Sequence, residues 1–406
     1  VEGSLLSETP PMGDVASVAF AGHRRALIGI VLKNLALNSL TLGTYRFWAK
    51  TRLRRFFWSG ITIDGEPLEY IGKGSELFIG FLIVLAILVP YYLATRLIDL
   101  LAAGGSTAAQ IGVQAVHLAV LGFLIEIAIF RARRYRLTRT LWRAVRFGQD
   151  GSALGYAAIA LAQRMLALLT FGLTEPWRTT VLQRRLITAT RFGDSHFSFD
   201  GHAARLMRWY LPAWFMFWLT IAATFLANAE VAASLAKTVS AYEVSRTPPS
   251  LNVAPVYWPL AGLAVAWLLY ARYRVRQFRY FADSTSLGAT TAASGLKTLK
   301  VLGYAAVYGL LNLAWLAVLA AIFGAIVADA AGGAATTVPL LVAFAVVLWF
   351  TSPIIRIAWL LYPIVRECCR TLQIRNLRAV EGVVQSRRAA PQHGEGLADA
   401  LDVGGL

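Results

Sequence analysis

Hydrophobic positions along the chain fall into long uninterrupted runs. Six stretches, 77–95, 100–125, 209–229, 247–271, 301–328 and 330–355, are almost free of charge. A helix crosses the apolar core of a bilayer with about 20 such residues, so each stretch predicts a membrane-spanning helix. Two shorter apolar segments, 26–45 and 151–174, carry the central cations Lys33 and Arg164. Polar and apolar positions alternate in two Gly-punctuated elements, one around Asp64-Gly65 and one over 192–201. The Asp-Gly pair is a β-hairpin turn signal, and such elements belong outside the hydrocarbon because an open sheet edge cannot face lipid. The fold class expected from these patterns is all-α. It is a polytopic membrane helical bundle of three transmembrane hairpins and two short interfacial or re-entrant segments, with small cytoplasmic β-hairpin-like elements.

A shift of 129 residues aligns 20–82 with 149–211 without a gap and gives fourteen identities. They include Leu40/Leu169, Thr41/Thr170, Gly43/Gly172, Trp48/Trp177, Arg55/Arg184, Gly72/Gly201 and Leu77/Leu206. Apolar bias can align leucines, but not Gly, Trp and Arg in one frame. A weaker third copy places Gly288 and Gly295 at the spacing of Gly65 and Gly72. The expected organisation is a disordered tail over 1–19, repeat 1 over 20–130, repeat 2 over 131–271, a degenerate repeat 3 over 272–383 and a disordered cytoplasmic tail over 384–406. No basic stretch followed by an apolar run opens the chain, so no cleavable leader is expected there.

Charge orients the spans. Segments 44–76, 131–150, 174–208, 272–300 and 363–388 carry six, seven, six, six and six Lys and Arg, whereas 96–109 has one and 230–246 two. Basic loops stay in the cytoplasm. If 151–174 crossed, two heavily basic loops would lie on opposite sides. It is therefore expected to lie in the interface or to dip in and return, and 26–45 to do the same. The alternative, in which 26–45 crosses, gives seven spans. The resulting hairpins pair 77–98 with 110–130, 209–230 with 254–271, and 301–328 with 337–362, with both termini cytoplasmic.

Composition agrees with this reading: 57% of the 406 residues are hydrophobic and only 15% charged, against about 25% charged in soluble proteins. The net charge of +17 could suit nucleic acid. Because the cations lie beside the apolar runs, the expected partner is instead the bilayer, with its anionic headgroups, and no nucleic acid. The two cysteines, Cys368 and Cys369, are adjacent and are read as reduced.

Thr41-Leu-Gly-Thr-Tyr-Arg-Phe-Trp-Ala-Lys-Thr-Arg-Leu-Arg-Arg55, followed by Asp64-Gly65-Glu66 and Glu69-Tyr70-Ile71-Gly72, resembles the YjgN-like family of bacterial inner-membrane proteins. Gly394-Glu-Gly-Leu-Ala-Asp399 resembles that family's C-terminal end. In the second copy Leu173-Thr-Glu-Pro-Trp177 departs from the pattern. The resemblance implies an inner-membrane location and supplies no activity and no catalytic residues.

Motifs for zinc-dependent proteolysis, phosphate-binding loops and nucleophile elbows are absent from the sequence,. Neither an enzymatic activity nor a cofactor or metal is expected. His196 and His202, with Asp194 and Asp200, are read as a solvated loop. Charged and polar groups within apolar runs are costly and often functional, which singles out Glu126, Asn312 and Arg356. Glu126 is expected to pair with an arginine of 131–134, Asn312 to make an interhelical hydrogen bond, and Arg356 to snorkel. Lys33 and Arg164, which fall at nearly matching places in the two short segments, are candidate contacts for an anionic lipid or substrate, and Trp48 and Trp177 are candidate interface anchors. The function expected is that of a non-enzymatic, lipid-interacting or scaffolding membrane protein. The rival reading is a transporter or channel for a small solute, favoured by the internal repeats and by Pro90, Pro259 and Pro353 within spans.

Overall fold

The computed structural model describes residues 15–245, 257–329 and 334–386. Helical hairpins and short strands alternate along them. Strand β1 (Val15–Phe20) leads into helices α1 (Arg24–Leu40) and α2 (Arg46–Gly60), then strands β2 (Ile61–Ile63), β3 (Glu66–Pro67) and β4 (Glu69–Tyr70). Helices α3 (Gly74–Ala102) and α4 (Thr107–Thr138) precede β5 (Thr140–Trp142) and β6 (Val145–Gln149). The short helices α5 (Ala153–Leu169) and α6 (Glu175–Thr188) precede β7 (Thr190–Phe192) and β8 (Ser195–Phe199). After α7 (Ala203–Ser245) and α8 (Tyr257–Asp283) come β9 (Thr285–Leu287) and β10 (Thr290–Ser294). Helices α9 (Thr298–Asp329) and α10 (Ala334–Ile355), a π-helical turn over Arg356–Leu361, α11 (Tyr362–Thr371) and β11 (Leu372–Arg375) complete the order, and a 3-10 turn follows at Leu377–Val380.

The eleven strands form one antiparallel sheet in the order β3-β2-β1-β11-β10-β9-β8-β7-β6-β5-β4. Its two ends, β3 and β4, are separated in sequence by Leu68 alone, so the sheet is a nearly closed ring. This overturns the all-α expectation. The small hairpins are not separate appendages, because each helical hairpin starts and finishes at the ring and hands its strands to the next. A lone two-stranded hairpin is marginal in water, whereas a ring leaves almost no unpaired edge. The N-terminal tail expected to be disordered to residue 19 is also corrected. Val15–Phe20 pairs with β11 on one side and β2 on the other, Val15 opposite Arg375 and Val18 opposite Ile63, and closes the ring. Residues 1–14 and 387–406 lie outside the described residues, as does the first part of the expected span 247–271.

Each contiguous β-hairpin turns in two residues: Asp64-Gly65, Arg143-Ala144, Gly193-Asp194 and Gly288-Ala289. The first residue of each pair has positive φ, between 50° and 57°. The last residue of the strand before each turn, Ile63, Trp142, Phe192 or Leu287, packs into one apolar cluster with Ala16 and Ile374. Eight strands make a barrel whose own side chains just fill it, so a ring of eleven needs more. Leu377 and Val380 of the C-terminal 3-10 turn supply it, each 8% exposed, and the strap continues outward as Asp194 N–H donates to the Val384 carbonyl at 3.1 Å.

The same joint recurs where each hairpin enters a helix. Arg55 Nη2 donates to the Gly72 carbonyl at 2.9 Å and Arg184 Nη2 to the Gly201 carbonyl at 2.8 Å. Arg134 donates to the Gly151 carbonyl, and Arg279 Nε to that of Ser294 at 3.0 Å. At the fifth joint Tyr362 Oη donates to the Gly22 carbonyl at 3.0 Å. Part of the cationic blocks is thus structural, since a charge-assisted bond to a carbonyl is stronger than a neutral one. Gly72 and Gly201 are required sterically: a Cβ there would lie 2.6 Å from the Tyr70 ring or 2.4 Å from the Phe199 ring. Leu77 and Leu206, one helical turn further on, are both fully buried.

The helices stand in a ring of their own, α2 against α3, α4 against α5, α6 against α7, α8 against α9, and α10 back against α1. Among the described residues five helices, Gly74–Ala102, Thr107–Thr138, Ala203–Leu226, Thr298–Ile326 and Val342–Thr371, are long and apolar enough to cross a membrane, and little of each is buried by protein.

Candidate functional site

Lys33 and Arg164, the two cations of the short apolar segments, lie on the two short hairpins, α1–α2 and α5–α6. Each leaves the sheet and returns to it, so neither changes sides relative to it. At 1.5 Å per residue the 17-residue α1 and α5 reach about 25 Å from the ring, short of the roughly 30 Å hydrocarbon core. The tips turn at Leu42-Gly43 and Phe171-Gly172, all with positive φ. Leu40 and Leu169 beside them are 80% and 79% exposed, and Leu42 and Phe171 95% and 67%. Bulky apolar groups left uncovered at matching places suit a tip that ends in lipid.

The second tip is pinned. Tyr210 Oη donates to the Gly172 carbonyl at 2.7 Å, and Trp214 Nε1 and Trp218 Nε1 both donate to the Phe171 carbonyl, at 2.8 and 2.9 Å. Non-helical backbone at membrane depth must have its polar groups satisfied by protein, and these three side chains, four residues apart on one face of α7, do so. That stripe was readable as a pattern, but nothing local identified its target. The positions one repeat earlier, Phe81, Leu85 and Val89, have no donor.

Arg164 and Lys33 are not equivalent. Arg164 forms an ion pair with Glu126 of α4, whose side chain is 3% exposed while that of Arg164 is 45% exposed. Glu126 therefore does not pair with the 131–134 cluster as expected. Facing helices bring α5 to it, whereas Arg133 of its own helix turns to the ring: Arg133 Nη1 donates to Gln149 at 2.9 Å, Thr190 at 2.8 Å and the Leu186 carbonyl at 3.1 Å. Lys33 is exposed and has no ion pair among the described residues. Its neighbour Asn34 is buried, donates to the Ala49 carbonyl at 3.3 Å and accepts from Arg52 Nη1 at 3.4 Å.

Beside the pinned tip lies an open cleft of about 440 Å³, with Arg164, Glu175 and Arg178 as its charged lining and Leu168, Phe171 and Trp218 among its apolar walls. Glu175 accepts both Arg178 Nε, at 2.7 Å, and Arg178 Nη2, at 2.8 Å. Sequence reasoning missed Glu175 and Arg178 because the pair reads as an ordinary helix-surface contact three residues apart.

The other expected residues lie apart from the cleft. Asn312 donates to the Tyr308 carbonyl of its own helix at 2.8 Å, not across helices; a bond that does join α9 to α10 runs from Trp315 Nε1 to Thr351, also 2.8 Å. Arg356 is exposed and opens the π-helical turn that follows Pro353. Trp48 packs against Phe78, 5.7 Å between ring centroids, and over Gly74 of α3; Trp177 is 54% exposed. His196 Nε2 lies 3.1 Å from Asp150 on the ring surface. Cys368 and Cys369 are both free thiols.

Comparison with known proteins places this arrangement. A curated relative, the inner membrane protein YjgN of Salmonella typhimurium, is 29% identical over 135 residues, 32% of this chain and 31% of that protein. The match thus spans about a third of the relative's length. No solved structure matches. The family model described as a bacterial protein of unknown function, DUF898, matches residues 16–400. Nearly all of the described fold lies inside that match, and the chain is a YjgN-like membrane protein that belongs to the DUF898 family.

Proposed function

We propose that this is a multi-pass protein of the bacterial inner membrane, that its β-ring faces the cytoplasm, and that it acts without catalysis by engaging anionic lipid headgroups through α1–α2. One observation carries the reading: between Val15 and Ile63 the chain has eight Lys and Arg and no Asp or Glu. Height along the helices supports it. The arginines of α4 stop at Arg131 and apolar sequence begins at Phe130, about 12 Å from the ring end of the helix at Thr138. Lys33 and Arg52 stand about 14 and 12 Å from the ring ends of their helices, level with that boundary, where phosphates lie. Asn34, next to Lys33 in sequence, accepts from Arg52 and ties α2 to α1 at this level, and cations at that level attract anionic lipid.

The test is the phospholipid that co-purifies with the full chain in native-membrane polymer particles. Lys33→Gln with Arg52→Gln is expected to lower bound phosphatidylglycerol and cardiolipin on the order of tenfold; unchanged lipid content overturns the reading. Sidedness is tested separately with single cysteines at Ser106 and Ser195, in a chain lacking Cys368 and Cys369. An impermeant thiol reagent outside intact spheroplasts should label Ser106→Cys alone.

A further inference from the structure

We infer that the cleft beside the α5–α6 tip holds the headgroup of a zwitterionic phospholipid, one carrying both a phosphodiester and an ammonium group. The inference is independent of the lipid contact proposed for α1–α2. Arg164 lies about 17 Å and Glu175 about 20 Å from the ring ends of their helices, several ångströms past the level at which α4 becomes apolar. The cleft therefore draws polar ligand chemistry below the usual headgroup plane.

The charges select the ligand. Arg164 is balanced by Glu126, and Arg178 by Glu175. A bare anion would leave one net negative charge at a depth where unbalanced charge is expensive; a zwitterion leaves none. Arg164 is nearly half-exposed and meets Glu126 through Nη2, so its remaining N–H donors can take a phosphodiester oxygen. Glu175, Phe171 and Trp218 all line the cleft and offer a carboxylate and aromatic rings to an ammonium group. The apolar walls at Ala167 and Leu168 suit the start of the acyl chains. The pinned turn fixes this geometry, because Trp218 is both a wall of the cleft and a donor to the tip.

The test uses the full chain in nanodiscs of equal phosphatidylethanolamine and phosphatidylglycerol, with bound lipid counted by native mass spectrometry. The wild type should retain phosphatidylethanolamine in preference to phosphatidylglycerol by about tenfold. Glu126→Gln with Arg164→Gln removes both charges of the buried pair at constant size and should abolish that preference. Glu175→Gln leaves that pair intact but removes the ammonium partner, so retention should shift toward phosphatidylglycerol. Misfolding would not produce such a reversal. Equal retention of both lipids by the wild type, or an unaltered preference in Glu175→Gln, overturns the inference. Saturable binding of soluble phosphoethanolamine without lipid retention would assign the cleft to a free solute and overturn the lipid assignment.

Discussion

The two short hairpins share a repeat, a length and a point of attachment, yet they differ in how their charge is handled. In both, Arg55 or Arg184 grips the carbonyl of Gly72 or Gly201, and Thr41 or Thr170 closes the first helix by donating to the carbonyl four residues back at 2.8 Å. Beyond that shared frame, α5–α6 is neutralised and tied down. Its central arginine has a buried carboxylate, and its tip has three donors from α7. Among the described residues the α1–α2 hairpin has neither. The lesson is that duplication preserved the joints that attach a hairpin to the ring and left the faces toward the membrane free to diverge.

The shared frame should respond alike in both copies, and most strongly. Leu77→Ala and Leu206→Ala each empty a fully buried site, and each should cost about 2–5 kcal/mol, read as a matched fall in thermal stability in detergent. A large loss in one copy alone would break the claim that the joints are equivalent. Gly72→Ala and Gly201→Ala come next: the new methyl meets the Tyr70 or Phe199 ring and overpacking costs about 1–3 kcal/mol.

The diverged part should respond in α5–α6 only. Arg164→Ala strands the buried Glu126 carboxylate; with the arginine itself half in solvent or headgroup, a loss of about 1–3 kcal/mol is expected. Lys33→Ala should stay within about 0.5 kcal/mol. Equal effects would erase the comparison. Within the pinned tip, Trp214→Phe removes one of the two indole donors to the Phe171 carbonyl, and about 1 kcal/mol is expected. The readout is faster hydrogen exchange at 171–173, while Leu85→Phe, one repeat earlier, should leave exchange at 42–44 unchanged.

The candidate sites were legible in unequal measure. Lys33 and Arg164 stood out because a cation in an apolar run is conspicuous, but the repeat suggested that they were equivalent. The alignment in fact sets Lys33 against Ala162 and Arg164 against Leu35, and only the approach of α4 to α5 makes Glu126 the partner of Arg164. The hairpin at β5–β6 was hidden because Arg143-Ala144 turns with two non-glycine residues at positive φ, where sequence reasoning looks for Asn, Asp or Gly. The arginines of 131–150 read as a loop's topology signal, although Arg133 and Arg134 of α4 donate to Thr190 of β7 and to the Gly151 carbonyl.

What the sequence by itself determined rests on local chemistry. Uncharged runs of spanning length, an Asp-Gly turn and a 129-residue period each state their meaning within one element or by comparison of two, so membrane class, repeats and short hairpins could be read directly. What only the tertiary structure decided is how those elements close. The pairing of β1 with β11 joins residues some 360 positions apart, and no turn residue or period encodes it. It arises because five helical hairpins standing side by side bring the first and last strands together, and because unpaired strand edges and an unfilled ring interior are both costly. The sheet that made an all-α reading wrong is a product of that closure.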